Sequence, residues 1–415
     1  MRKDMKAVLH KLKNKLVRLG SALVGIFWLC RARVDIVRAK RRGFMTVIAE
    51  ITTTNEFFYL QSVLAELIGD GACVVVITHD KLMGNLRKLI GSSWKEGRPD
   101  LVDSRFFDHF PWVDFYLNAT LSYDIKVPKR AHYKIHFPHT VTSKTKYDVF
   151  SPAIDKMTDV FLTGEAFKKD MLTFCADHRI AKIPKLHEIG CPKYDILFEL
   201  RDRGIDRKAF IKGLGLDPSL PTVFYAATWN QNTSVFTWLD RILEIPERFK
   251  ANLIVKIHPG SYIDPTSKKG SGGVDWRSFF DNSDIAGHRI YNAYEVDSPE
   301  FIMGSDLAVT DISTIWIEFY FLRKPMIFLD IPRFFEDHEM NSLGDFRPIY
   351  GSLVKTPKEF YAAIARSLTV PREARPDNAP SIDDRLLYNR GKATAAAVAK
   401  LHEMRGQIAR GCEKS

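Results

Sequence analysis

Three histidines and one hydroxyl-rich turn gather the side chains of this sequence that could move a proton or hold a phosphate. His136-Phe-Pro-His139-Thr140 follows a strand-like run, and Lys144 stands five residues beyond His139. An imidazole titrates near neutrality and can take the proton of an attacking hydroxyl, so His139 and His136 are rival candidates for a general base. Two histidines after a strand can also do no more than hydrogen-bond a loop. Lys256-Ile-His258-Pro259 ends another strand-like run, the place where an α/β sheet presents its ligands. A ring N–H there could donate to a phosphate oxygen or a leaving group.

The turn lies within Ser305 to Pro332, SDLAVTDISTIWIEFYFLRKPMIFLDIP. Leu307-Ala308-Val309 reads as a strand that stops at Thr310-Asp311. Ser313 and Thr314 are placed to cap a helix whose apolar face carries Ile315, Phe319 and Leu322. Pro325 breaks that helix, and Met326 to Leu329 is a second buried strand. In such a βαβ unit, hydroxyls and backbone N–H groups meet at the strand's C-terminal edge, which suits a phosphate. Asp311 could orient His258 or a hydroxyl. A plain helix cap accounts for Ser313 or Thr314 without any ligand. Glu318 lies four residues after Thr314, about one turn along the same face, where a solvated carboxylate is the competing reading. Thr228-Trp229-Asn230 follows a strand and could line a nucleotide pocket, although Trp229 could equally be core packing.

The elements that must position these groups alternate between strand and helix. Met45 to Ile51, Ala72 to Thr78, Asp114 to Leu121, His132 to His136 and Asp159 to Thr163 read as strands. A helix from Glu56 to Ile68, with Asn55 as its cap, joins the first two, and another begins near Glu165. Glu199 to Pro221 is polar and rich in Gly and Pro, which marks a domain junction. Beyond it Thr222 to Ala227, Leu253 to Ile257, Leu307 to Thr310 and Met326 to Leu329 repeat the α/β pattern. Thr266 to Val274 is a Gly/Lys/Ser-rich loop, and Pro371 to Pro380 precedes a last helix at roughly Asp383 to Arg405. The expectation is two α/β domains with parallel sheets.

The 415 residues suffice for two cores. Residues 1–42 hold 13 of the 61 Lys and Arg and two of the 50 acidic residues, leaving 48 of each sign for the rest. The basicity is therefore local, which argues against a general nucleic-acid-binding face. Leu9, Leu12, Leu16 and Leu19 share one helical face among lysines, and an apolar run from Leu19 to Cys30 follows. That run is short for a bilayer span, and the arginines after it oppose export. An interfacial segment on anionic lipid is the favoured reading, and a helix packed on the protein's own body the competing one. Five scattered cysteines suggest reduced thiols in the cytoplasm and no zinc site. No G-x-G-x-x-G, P-loop or nucleophile-elbow motif is present, no cofactor is implied, and metal dependence is left open.

Asp311-Ile-Ser313-Thr314, Glu318, Lys324-Pro325 and Asp330 together resemble the signature of the CDP-glycerol glycerophosphotransferases of teichoic acid synthesis, which runs T-D-Y-S-S, an acidic residue, then K-P and a strand. Gly190-Cys-Pro192-Lys193-Tyr-Asp195, Phe224-Tyr-Ala-Ala-Thr228-Trp229 and Lys256-Ile-His258-Pro259 match the family's G-x-P-R-x-D, Y-A-P-T-W and R-x-H-P in order. The family's W-H-G-T-P-x-K corresponds to the region of His139 and Lys144, with Pro138 in place of its Trp, Thr140 of its Gly and Val141 of its Thr. The resemblance implies a GT-B fold, two Rossmann-like domains facing across a cleft. It also implies His139 and His258 as functional histidines, Lys144 on the acceptor side, and Thr228, Trp229, Lys256, Asp311, Ser313, Thr314 and Glu318 on the donor side. An acidic residue at the place of Glu318 resembles a ribose-hydroxyl binder.

The expected organisation is a basic amphipathic membrane-associating extension (1–42), an N-terminal Rossmann-like acceptor domain (43–200), a nucleotide-donor domain (201–382) and a C-terminal helix (383–415). The expected activity is transfer of glycerol phosphate, or ribitol phosphate or a related polyol phosphate, from a CDP-activated donor. The acceptor is a hydroxyl of a glycan or polyol-phosphate polymer of the teichoic acid or capsule type, free or lipid-linked. The expected place is the cytoplasmic face of the membrane, as a peripheral protein. Competing readings are a GT-B glycosyltransferase using a nucleotide sugar for surface polysaccharide and a non-catalytic membrane scaffold.

Overall fold

The computed structural model describes residues 23–94, 98–122, 125–142, 145–146, 149–229, 232–262, 264–267, 271–282, 289–294, 299–336, 338–369 and 381–412. The heptad-spaced leucines of residues 1–22, Lys144, Asn230 and Pro371 to Pro380 lie outside these residues.

Two parallel sheets organise the chain. The first holds β1 (Thr46–Glu50), β2 (Cys73–Thr78), β3 (Asp100–Asp103), β4 (Val113–Asn118), β5 (Ala131–His136), β6 (Asp159–Leu162) and β7 (Lys185–Glu188) in the order β3-β2-β1-β4-β5-β6-β7. The second holds β8 (Thr222–Ala227), β9 (Asn252–Ile257), β10 (Ile290–Asn292), β11 (Leu307–Thr310), β12 (Met326–Leu329) and β13 (Ser352–Val354) in the order β10-β9-β8-β11-β12-β13. Runs such as VVVI in β2 and VFYA in β8 have no polar alternation because both faces are covered, as parallel strands require. Successive residues then enter opposite cores. Val47 and Ala49 face the helix Thr54–Gly69, while Ile48 faces the helix spanning 23–41. In both sheets the strand order reverses beside the first strand of the sheet, at β1/β4 and at β8/β11. A crevice opens at such a point, at the carboxyl ends of the strands.

The N-terminal region is partly body. The helix at 23–41 buries Leu29, Ala32 and Ile36 in the first sheet's core, and Arg31 reaches Asp100 at 3.3 Å. Its other face leaves Leu23, Val24, Phe27 and Val34 exposed among arginines. Among the described residues no helix is long and apolar enough to cross a membrane.

The C-terminal end differs from the single helix expected. A short helix, Asp383–Leu386, is separated from Ala393–Cys412 by a turn. The long helix returns to the first sheet, where Ala397, Val398, Leu401 and Met404 are buried. Asp195 caps it, accepting the N–H groups of Ala393 (3.1 Å) and Thr394 (2.7 Å). Gly190 adopts φ +97°, and a Cβ there would stand 2.2 Å from the Tyr388 carbonyl, so only glycine admits the returning chain. Further contacts join the two halves: Lys146 N–H to the Glu339 carbonyl at 2.8 Å, and Asn341 Nδ2 to Thr142 Oγ1 at 3.3 Å.

Candidate active site

At the first crevice, β1 runs into Thr52 and Thr53. The cap of the following helix is Thr53, not Asn55: its hydroxyl accepts the Glu56 N–H at 3.2 Å, and Glu56 reaches back to the Thr53 N–H. The T-x-x-E spacing is a capping box, which satisfies two helix-start donors where Asn55 would satisfy one. Asn118 ends β4 and is followed by Ala119 and Thr120, while His136 ends β5 and His139 lies in the loop after it. His139 Nδ1 lies 2.7 Å from the Ala119 carbonyl and 3.2 Å from Thr120 Oγ1. A carbonyl only accepts, so Nδ1 carries the hydrogen and Nε2 the lone pair of the neutral ring. That is the form a general base needs.

His136 is placed differently. It is buried, with Nδ1 3.1 Å from Asn118 Oδ1, and burial together with the nearby His139 pushes its pKa down to about 3. Near neutrality such a ring stays uncharged and is a weak proton acceptor. Glu50, at the end of β1, shows the opposite displacement. Burial pushes its carboxyl up to about 7, with Glu56 adding to the shift against the hydrogen bond that Tyr116 donates.

The second crevice is tied together by Asp311. Its Oδ1 accepts the N–H groups of Thr228 (3.0 Å), Ile312 (2.7 Å) and Ser313 (3.1 Å). Its Oδ2 accepts the N–H (3.2 Å) and hydroxyl (2.7 Å) of Ser234. The residue is fully buried. Neither Ser313 nor Thr314 caps the helix Ile315–Phe321 with its side chain; the Trp316 and Ile317 N–H groups donate instead to the Ser313 (3.2 Å) and Thr314 (3.1 Å) carbonyls. Ser313 and Thr314 sit half-buried at the crevice.

The orienting contact on His258 comes from Gly260, whose N–H donates to Nδ1 at 3.0 Å. An Nδ1 that accepts leaves the ring hydrogen on Nε2, the reverse of His139. The Trp229 indole stacks on the His258 ring at 5.8 Å and 22°, and it is 45% exposed, so Trp229 is not core packing. A Cβ on Gly260 would stand 3.0 Å from His258 Nδ1, a tight contact against the ring. Thr228 is buried, and Lys256 is half-buried on β9.

A line of contacts connects the two crevices. The Tyr59 ring meets His139 edge-on at 6.4 Å, Lys193 Nζ lies 5.2 Å from the Tyr59 centroid, and the same Nζ is 3.6 Å from Glu318 Oε1. Glu318 is therefore a buried ion-pair partner rather than a solvated carboxylate. Sequence reasoning passed over Glu56, Thr120, Tyr59 and Gly260; only Glu56 left a local signal, its spacing from Thr53. Among the described residues no three His, Cys, Asp or Glu side chains cluster as a metal site would.

Residues 153–399 match the family model of CDP-glycerol:poly(glycerophosphate) glycerophosphotransferase, well over half of the chain. The chain belongs to this family. It is thereby an enzyme of the glycerophosphotransferase class, as its motifs led one to expect. Comparison with curated proteins gave no match. Among solved structures, the wall teichoic acid polymerase TagF superposes with a TM-score of 0.62 at 13% identity, covering 95% of this chain and 98% of that one. A TagF variant soaked with CDPG gives 0.60, also at 13% identity and the same coverage. UDP-GlcNAc 2-epimerase from Neisseria meningitidis, bound to UDP-GlcNAc, gives 0.55 at 14% identity, covering 86% of this chain and all of that one. At these identities the likeness is one of fold, and the fold of the glycerophosphotransferase is GT-B-like.

Proposed function

We propose that this glycerophosphotransferase moves glycerol phosphate from CDP-glycerol to a hydroxyl of a polyol-phosphate or glycan acceptor. His139 serves as general base and His258 as the ligand of the donor phosphate. The observation that carries this reading is the opposed hydrogen bonding of the two rings at Nδ1: the Ala119 carbonyl beside His139 assigns its lone pair to Nε2, and the Gly260 N–H beside His258 assigns its hydrogen to Nε2. One ring is prepared to receive a proton and the other to donate a hydrogen bond to an anion.

In the step, the acceptor hydroxyl gives its proton to His139 Nε2 as its oxygen bonds to the phosphorus that carries glycerol. The bond from that phosphorus to the bridging oxygen breaks, and CMP leaves with the electron pair. His258 and the backbone of the Asp311–Thr314 turn stabilise the charge on the phosphates. Thr228, Trp229, Lys256, Ser313, Thr314 and Glu318 are assigned to the donor, with Lys193 holding the Glu318 carboxylate, and Lys144 to the acceptor. His136 is assigned a supporting role, because its low pKa unfits it for proton transfer near neutrality. The exposed apolar and basic face of the 23–41 helix supports attachment at the cytoplasmic face of the membrane, near a lipid-linked or capsule-type acceptor.

Nucleotide release from CDP-glycerol, CDP-ribitol and nucleotide sugars tests the reading. CMP release from CDP-glycerol that depends on an added polyol-phosphate acceptor is expected. Nucleotide release from a sugar donor alone would replace it with the glycosyltransferase reading.

A further inference from the structure

His139 is held at Nδ1 by two oxygens, and one of them is itself held by a carboxylate. Besides the Ala119 carbonyl, Thr120 Oγ1 lies 3.2 Å from Nδ1, and the Thr120 hydroxyl donates to Glu56 Oε1 at 2.6 Å. Glu56 also accepts the Thr52 N–H at 2.5 Å, the Thr52 hydroxyl at 2.7 Å and the Thr53 N–H at 3.4 Å, and it is only 2% exposed. Four donors converge on it, the arrangement an ionised carboxylate accepts. With the Thr120 hydrogen committed to Glu56, the lone pairs of Thr120 face the ring, and Nδ1 must be the donor.

A capping box requires only the bonds between Glu56 and the backbone at the helix start. The bond to Thr120 is additional. Thr120 lies 64 positions away, in the loop after β4, and joins the helix cap to the switch point of the first sheet.

We propose that Thr120 and Glu56 are positioning residues for His139, with Thr120 relaying the Glu56 carboxylate to Nδ1. The relay fixes the tautomer and stabilises the imidazolium formed when the acceptor's proton arrives. This role rests on the reading of His139 as the base. The proton arrives at Nε2 and Nδ1 keeps its own, so the ring becomes a cation whose N–H points at two oxygens backed by a negative charge. The other titratable groups around this network are Glu50 beside Glu56, His136 beside His139, Tyr59 against the ring, and Lys193 beyond Tyr59.

Thr120→Val removes the hydroxyl and leaves the helix cap intact, whereas Thr120→Ser keeps the hydroxyl. The His139 ring is titrated by NMR in the native chain and in both variants, alongside steady-state CMP release from CDP-glycerol. In Thr120→Val the His139 pKa should fall by about half to one unit. The acidic limb of the rate profile should move to lower pH with it, kcat should drop roughly ten-fold, and KM for CDP-glycerol should stay within about two-fold. Thr120→Ser should restore both readouts. Glu56→Gln, which can keep the capping box but loses the charge, should move the titration the same way. A native His139 titration in a folded Thr120→Val protein, with His139→Ala inactive, overturns the positioning role alone. Full activity of both His139→Ala and Thr120→Val overturns the base assignment and the relay's catalytic role with it.

Discussion

Asp311 was expected to serve the donor, but its five hydrogen bonds describe a buried knot between strand ends, and Asp311→Asn separates the two roles. The amide keeps one oxygen for the N–H groups of Thr228, Ile312 and Ser313. It turns its other atom into a donor facing the Ser234 N–H, which then lacks the acceptor it had at 3.2 Å. One buried N–H left without an acceptor costs about 1–3 kcal/mol. Reducing three charge-assisted bonds to neutral ones costs about 0.5–1 kcal/mol each, for a total of about 2.5–6 kcal/mol. At about 2–4 °C per kcal/mol for a unit of this size, the melting temperature should fall by roughly 5–24 °C. Calorimetric melting and donor titration of the folded variant give the two readouts. A melting temperature within about 2 °C of native, together with a donor affinity lowered about 100-fold, would refute the knot and make Asp311 a ligand.

Two further predictions concern the membrane and acid. Co-sedimentation with anionic vesicles should weaken as salt rises and should drop on deletion of residues 1–22, because exposed arginines and apolar side chains on the 23–41 helix supply only part of the contact; no sedimentation of the full chain would end the idea. The pH dependence of stability should show two opposed slopes. His136, neutral in the folded state down to about 3, refuses a proton that the unfolded chain binds below about 6.5, so stability falls on acidification. Glu50, protonated in the folded state up to about 7, keeps a proton that the unfolded chain loses above about 4.5, so stability falls as pH rises. Between about pH 4.5 and 6.5 these cancel. Glu50→Gln removes one of them, so acidification over that window should cost the variant about 1.4 kcal/mol per pH unit more than the native chain. Parallel denaturation curves would contradict the burial argument.

How much was legible follows from where each element lies. The nine interior strands among the described residues all overlap runs that read as strands in the sequence, most of them largely apolar, and Thr222–Ala227, Leu307–Thr310 and Met326–Leu329 are found residue for residue. The four that sequence reasoning passed over, β3, β7, β10 and β13, are the edges of the two sheets. An edge strand pairs on one side only, and these are three or four residues long, so Lys185–Glu188 or Ser352–Val354 carries no buried run to notice. At the site, the histidines could be found because strand ends are visible in sequence. Their tautomers could not, since these depend on the Ala119 carbonyl and the Gly260 N–H, backbone groups that no residue type announces. Thr120 and Glu56 meet only through the β1/β4 reversal, which is a property of strand order.

The most direct test is calorimetric CDP-glycerol binding, with steady-state CMP release, on folded His139→Ala and His258→Ala proteins. Turnover should fall by roughly 10²–10⁴ in each. Donor affinity should weaken in His258→Ala, which loses the proposed ligand of the donor phosphate, and stay near native in His139→Ala, which loses the proposed base for the acceptor. Equal loss of donor affinity in both, or full turnover in His139→Ala, would contradict the division of labour between the two rings.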